Sequence, residues 1–205
     1  MANSSAPITR PSLLLRVRDV EDAEAWREFV RLYTPLVFGH CARRGLQEAD
    51  AADVAQEVMR VAAQAMPEFE YDAQRGKFRG WLLQTTRHRL HKFFDRQQRS
   101  PRPVSETTIE RFADGEPAAD EQARWEEDYR QRLFDWAVEK ARPEFQSATW
   151  TAFWHTAVEL VSVKETASKV GISIGAVYIA RSRVTARLRE LIETVADDAI
   201  ETPEP

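Results

Sequence analysis

The sequence holds one cysteine, Cys41, in 205 residues. A single thiol cannot close an internal disulfide or build a clustered-cysteine metal site. Cys41 lies in an apolar-periodic stretch, where free cysteine behaves as a small buried hydrophobe. No apolar run approaches the ~20 residues that cross a bilayer, and the first residues lack the apolar core of a signal peptide. The chain is therefore expected to be soluble and cytoplasmic, with no membrane partner. Catalytic signatures are missing too: no Gly-rich phosphate loop, nucleophile elbow or paired-carboxylate motif occurs. His40, His88, His91 and His155 make no ligand pattern, and His88 and His91 lie among cations that discourage a bound metal. A DNA-processing enzyme would need carboxylates to hold a metal near phosphates, and the basic segment has none to spare. No catalytic residue, metal or cofactor is expected. Strand alternation is absent as well, which leaves helical periodicity in almost every segment.

That periodicity predicts an all-α chain. Residues 1–18 form an extension, with a short helix over Pro11 to Val17. Asp19 or Asp22 can cap a helix through Trp26, Phe29, Val30 and Tyr33, which Pro35 breaks or kinks. The pattern resumes through Leu36, Val37 and Cys41 and ends at Gly45. Asp50 starts a helix with the stripe Val54, Val58, Val61, Ala62 and Ala65, stopped by Pro67. A loop from Glu68 to Gly76 leads to a helix from Lys77 to about Arg99. Ser100 to Pro117 carries three prolines and no apolar periodicity, the mark of a linker. Helical spacing returns with Trp125, Tyr129, Leu133 and Trp136 and continues through Trp150 and Phe153. The expectation is two small helical domains, 19–99 and 124–196, joined by a flexible acidic linker over 100–123, with a disordered tail over 197–205.

Ser162 to Arg183 has the spacing of a helix-turn-helix, a unit that sets a short helix in the major groove of DNA. Ala167 is small where the helices must cross. Gly171 follows four residues later, where the turn needs a positive φ, and Val177 points back into the angle between the helices. Ser162 with Glu165 can form a capping box, and Ser173 can cap the second helix. Its outward positions are Ser173, Ile174, Gly175, Tyr178, Ile179 and Arg181, followed by Arg183, Arg187 and Arg189. Ser173 and the helix start can bind a phosphate, Tyr178 and Arg181 can reach base edges, and Ile174 and Ile179 can touch thymine methyls. The plainer alternative is a tri-helical structural domain.

Net charge is −4, so the distribution of charge matters more than its sum. From Arg75 to Arg102 there are nine cations and one acid, Asp95. Phe69, Tyr71, Phe78, Trp81, Phe93 and Phe94 are interleaved with them. Cations attract phosphates and rings stack on unpaired bases, a mixture suited to single-stranded nucleic acid. The bland alternative keeps Phe78, Leu82 and Phe93 in the core and leaves the cations to solvate the outer face. Glu106 to Asp128 reverses the balance, with nine acids against Arg111 and Arg124. Asp53, Gln56 and Glu57 share one helix face beside Val54, Val58 and Val61, a pattern that periodicity alone assigns to solvent.

Taken in order, these elements resemble the sigma-70 family of bacterial transcription initiation factors, in particular the compact extracytoplasmic-function group. That group keeps the second and fourth sigma domains on a flexible linker. Asp53-Val-Ala-Gln56-Glu57 is similar to the family's Asp-x-x-Gln-Glu motif, whose helix docks on core RNA polymerase at the β′ clamp. The resemblance implies polymerase contacts, including the β subunit, with Asp53, Gln56, Glu57 and Arg60 at the docking face. Phe69 to Leu82 resembles the segment that opens the promoter and reads its −10 element. The −10 residues implied are Tyr71, Arg75, Lys77, Phe78, Arg79, Trp81, Arg87, His88 and Lys92. Ser173 to Arg189 resembles the −35-reading helix within a helix-turn-helix over 163–182, which implies Ser173, Ile174, Gly175, Tyr178, Ile179, Arg181, Arg183 and Arg187 as DNA contacts.

Two departures fall on the DNA-reading faces. His88 stands where the family carries asparagine, and Tyr178-Ile179-Ala180 replaces a common Lys-Ser-Arg run. The expected function is promoter-specific transcription initiation without catalysis, with promoter DNA and core polymerase as partners. Anti-sigma proteins are further partners common in that group. The rival is a conventional helix-turn-helix regulator acting as a dimer without polymerase; nine cations between Arg75 and Arg102 argue against a dimerisation face.

Overall fold

The computed structural model describes residues 13–69, 78–98 and 118–196. Among these, every regular element is helical. The α-helices are α1 (Leu13–Arg16), α2 (Ala23–Arg43), α3 (Glu48–Ala65), α4 (Phe78–Gln98), α5 (Ala119–Ala141), α6 (Ser147–Phe153), α7 (Val163–Val170) and α8 (Ile174–Val195). Two compact units are present, Met1–Arg132 and Leu133–Pro205. The first half of α5 belongs to unit 1 and its last residues to unit 2.

In unit 1, Asp22 caps α2 by accepting from the Ala25 amide at 2.9 Å. Its two carboxylate oxygens also take Arg16 at 2.9 and 3.0 Å, which ties α1 to the start of α2. The helix does not break at Pro35 but runs unbroken to Arg43. Proline removes one amide donor, yet Leu32, Tyr33, Leu36 and Val37 on either side of it are buried and hold the helix in place. Gly45, at φ 89°, provides the turn after α2. The next helix starts at Glu48, two residues before the expected Asp50, behind a Gln47 N-cap that makes no side-chain bond. Its buried face is Ala51, Val54, Ala55, Val58 and Ala62, so alanines carry much of the contact and let α2 and α4 approach closely. Val61 and Ala65, expected on that stripe, are only half-buried. Phe29, Tyr33 and Phe78 form an aromatic centre, with Tyr33 and Phe78 5.2 Å apart and edge-on.

The linker expected to reach residue 123 ends earlier, because α5 is helical from Ala119. Trp125 and Tyr129 are fully buried in unit 1.

Unit 2 is built around α8. Val177, Ala180, Val184 and Leu188 recur at helical spacing on its buried side and meet α6 and α7. Ala152, Ala167, Val177 and Ala180 form one cluster, flanked by Val163 and Ile172. Arg187 fastens α8 to the 3-10 turn Arg142–Glu144 through a two-pronged pair with Glu144 at 2.6 and 2.7 Å. No helix among the described residues is long and apolar enough to cross a membrane.

Candidate functional site

Three surfaces bring the sequence-predicted residues together. The first is a groove between α3 and α4. Asp53, Gln56, Glu57 and Arg60 lie on one edge of α3, and Arg89, Phe93 and Arg96 of α4 face them across a cavity of about 850 Å³. The spacing that buries Val54 and Val58 in the core turns Asp53, Gln56 and Arg60 outward, and all three are exposed. Glu57 is half-buried, with Arg89 Nη1 3.8 Å away. The groove thus has an apolar floor at Val54, Met59 and Phe93 and a rim of mixed charge. Such a surface suits a partner helix with charged flanks. Arg89 and Arg96 were legible only as part of the cation count, and Phe93 was expected in the core. Phe93 instead lines the groove, and its neighbour Phe94 takes the buried position.

The second surface is the outer part of unit 1 around α4. Tyr71, Arg75 and Lys77 lie outside the described residues. His88 and Lys92 are exposed, and Trp81 is half-buried against Phe69 and Phe78. Phe78 is 0% exposed, so its ring is core and cannot stack on a base as placed. Arg79 and Arg87 also depart from the expectation of free cations, being 4% and 7% exposed. Arg79 donates from Nε to Glu126 Oε2 at 2.9 Å, and its Nη2 lies 2.9 Å from the same oxygen. Its guanidinium carbon sits 4.3 Å from the Tyr129 ring centroid. Arg87 Nε is 3.7 Å from Glu121 Oε2, and Arg87 Nη1 donates to Gln84 at 3.2 Å.

Glu121 sits at the centre of this network. It also contacts Arg44, and its Oε1 lies 3.3 Å from His40 Nε2. The His40 contact is not an ion pair. Burial, with Arg44, Arg43 and Arg87 nearby, pushes the imidazole down to about 3, so it is neutral at physiological pH. Trp125 packs edge-on against His40 at 5.4 Å, and Arg43 pairs with Asp128. None of Glu121, Trp125, Glu126 and Tyr129 was singled out for a site. The available signal was their common face: positions 121, 125, 126 and 129 fall at helical spacing in an acidic run.

The third surface is the α7–turn–α8 segment of unit 2. Ser162 Oγ accepts from the Glu165 amide at 3.3 Å, and Ser173 Oγ from the Ala176 amide at 3.1 Å. The Glu165 carboxylate pairs with Lys169 at 2.8 Å. Gly171 adopts φ 74°, ψ 34° and ends α7, with its amide bonded to Ala167 O. Val177 is 1% exposed, in the angle between the helices. Ser173, Ile174, Gly175, Tyr178, Ile179, Arg181 and Arg183 are all exposed on one end of α8. Arg187 is not free, being held by Glu144 and by Glu190 at 2.9 Å, which raises its pKa further. As placed, it fastens the unit together instead of presenting a cation.

Cys41 is fully buried, and burial pushes its thiol up to about 12. It is a core residue with no nucleophilic role.

Comparison with known proteins bears on the first two surfaces. Residues 29–100 match the family model for sigma-70 region 2, which contains both the α3–α4 groove and the whole of α4. The match covers 72 of the 205 residues, all of them within unit 1. No curated protein matches the chain.

Proposed function

We propose that this chain is a transcription initiation factor of the extracytoplasmic-function group. It docks core RNA polymerase onto specific promoters and contributes no catalysis of its own. The observation that carries the reading is the α3–α4 groove, where Asp53, Gln56, Glu57 and Arg60 line one wall within the region 2 match. In this reading the groove takes the clamp helices of the β′ subunit, with further contacts to the β subunit. Phe93 supplies apolar contact, and the charged rim sets the register. Trp81, His88 and Lys92 on α4, together with Tyr71, Arg75 and Lys77, approach unpaired −10 bases and their phosphates. The exposed end of α8 enters the major groove of the −35 element. Arg181 and Tyr178 there reach base edges, and Ile174 and Ile179 touch thymine methyls. The protein works in the cytoplasm, and an anti-sigma protein is a further partner of the kind this group uses.

Run-off transcription with purified core polymerase tests the whole reading. Promoter-dependent transcripts should need this chain, and their absence on every genomic template would refute it. Docking is tested separately with Asp53→Ala combined with Glu57→Lys. These changes leave the core of α3 intact and should weaken core-polymerase binding at least tenfold (about 1.4 kcal/mol or more). Unchanged affinity would remove the groove from the interface.

A further inference from the structure

The face that α5 lays on unit 1 has the chemistry of a single nucleic-acid strand. Glu121, Glu126 and Asp128 present carboxylates to Arg44, Arg79, Arg87 and Arg43. Beside these anions on the same stretch of helix lie two flat rings. Trp125 packs on His40, and Tyr129 lies between the Arg79 guanidinium at 4.3 Å and the Tyr33 ring, stacked at 5.8 Å and 18°. Anionic oxygens alternating with planar rings are what phosphates and bases offer to cations and aromatics. We infer that the first half of α5 is an internal nucleic-acid mimic, an acidic lid held over cations of unit 1 until nucleic acid displaces it. The inference rests on unit 1 binding nucleic acid, as proposed above.

The energetics suit a removable lid. Arg43 and Asp128 are each at least a third exposed, so their attraction is largely screened by solvent. For the buried pair Glu121 with Arg87 and the part-buried pair Glu126 with Arg79, desolvation offsets much of the Coulomb gain. The closed state is therefore held chiefly by burial of Trp125 and Tyr129 and by the covalent tether, which keeps the lid at high effective concentration. An oligonucleotide competes directly, because its phosphates can replace the carboxylates on the same guanidinium groups. The apparent dissociation constant is then the intrinsic one divided by the open fraction.

Adjacent residues of α5 give a matched test. Glu126 faces Arg79, whereas Glu127 is exposed and, among the described residues, pairs with Arg130 along its own helix. Glu126→Lys and Glu127→Lys change the net charge equally, but only the first places a cation against Arg79. Binding of a fluorescein-labelled oligothymidine to the full-length protein is measured by anisotropy, with thermal melts to confirm folding. Glu126→Lys should bind about tenfold more tightly than wild type, and Glu127→Lys within about twofold of it. Glu126→Gln, the gentler change, should move in the same direction if the lysine variant melts too early. Equal affinity of wild type and both Glu126 variants, or equal gains for Glu126→Lys and Glu127→Lys, overturns the lid while leaving nucleic-acid binding in place. No binding by any variant overturns the nucleic-acid reading of unit 1, and the lid with it.

Discussion

Arg79 and Glu126, 47 positions apart, meet in one part-buried contact in which two guanidinium nitrogens share a single carboxylate oxygen at 2.9 Å. Arg79 has only 5% of its side chain exposed, so this contact decides the role of a residue that sequence placed among free cations. A charge so far from water depends on its partner. Truncating the acid should therefore cost more than replacing both groups.

In urea unfolding, Glu126→Ala should lower stability by about 1.5–3 kcal/mol, the range for a hydrogen bond to a charged group whose partner stays buried. Arg79→Met combined with Glu126→Leu should lie closer to wild type, since no charge is then stranded. If the double variant is the less stable of the two, the pair itself is a net source of stability and this account is wrong.

His40 gives unit 1 an acid-sensitive core. The unfolded imidazole takes a proton near 6.5, while the folded one, buried beside Arg43, Arg44 and Arg87 and facing Glu121, does so only near 3. Between those limits the unfolded chain binds one proton more than the folded chain. Stability is therefore full above about pH 6.5 and falls by about 1.4 kcal/mol per unit as the pH drops below it. Unfolding free energies measured at pH 7, 6 and 5 should show that slope beyond the contribution of the carboxylates. His40→Gln should flatten it, and an unchanged profile in that variant would assign the acid sensitivity elsewhere.

Two glycines of unit 2 should respond oppositely to alanine. At Gly171 a Cβ would meet nothing within 4 Å, but the backbone stands at φ 74°. Gly171→Ala should destabilise by about 1–2 kcal/mol through conformation alone. Gly175 lies in the first turn of α8, with the Ser173 hydroxyl 4.0 Å from a would-be Cβ. There alanine should gain up to about 1 kcal/mol from helix propensity. Thermal melts of the two variants moving in the same direction would contradict this.

Arg181 and Arg187 separate recognition from structure on one helix. Arg181 is exposed, whereas Arg187 grips Glu144 and Glu190. Under the proposed −35 reading, Arg181→Ala should lower promoter affinity by about 1–3 kcal/mol without changing the melting temperature. An equal loss on all sequences would make it a phosphate contact. Arg187→Ala should lower the melting temperature and leave the order of sequence preference intact, so a change in preference would return Arg187 to the reading face.

How much was legible depended on how local the determining physics is. The α7–turn–α8 unit could be read residue by residue, because its caps, its positive-φ glycine and its Val177 knob all act within a few positions of the chain. The core stripe of α3 was legible for Val54 and Val58, but Ala51 and Ala55 were passed over because alanine is a weak marker of burial. Pro35 misled in the other direction. Proline disfavours a helix interior, yet Leu32, Tyr33, Leu36 and Val37 pack on both sides of it, and packing outweighed one lost donor.

The sequence alone determined that the chain is helical, that Asp53, Gln56 and Glu57 share a face, and that one segment concentrates cations and rings. Periodicity and composition suffice for those statements. Only the tertiary structure decided which of those cations are available. Arg79, Arg87 and Arg187 are identical in chemistry to Arg181, and the local partners Gln84 of Arg87 and Glu190 of Arg187 do not by themselves bury a guanidinium. Their partners, Glu126, Glu121 and Glu144, lie roughly 35 to 50 positions away, and such pairs come into being only when the helices pack.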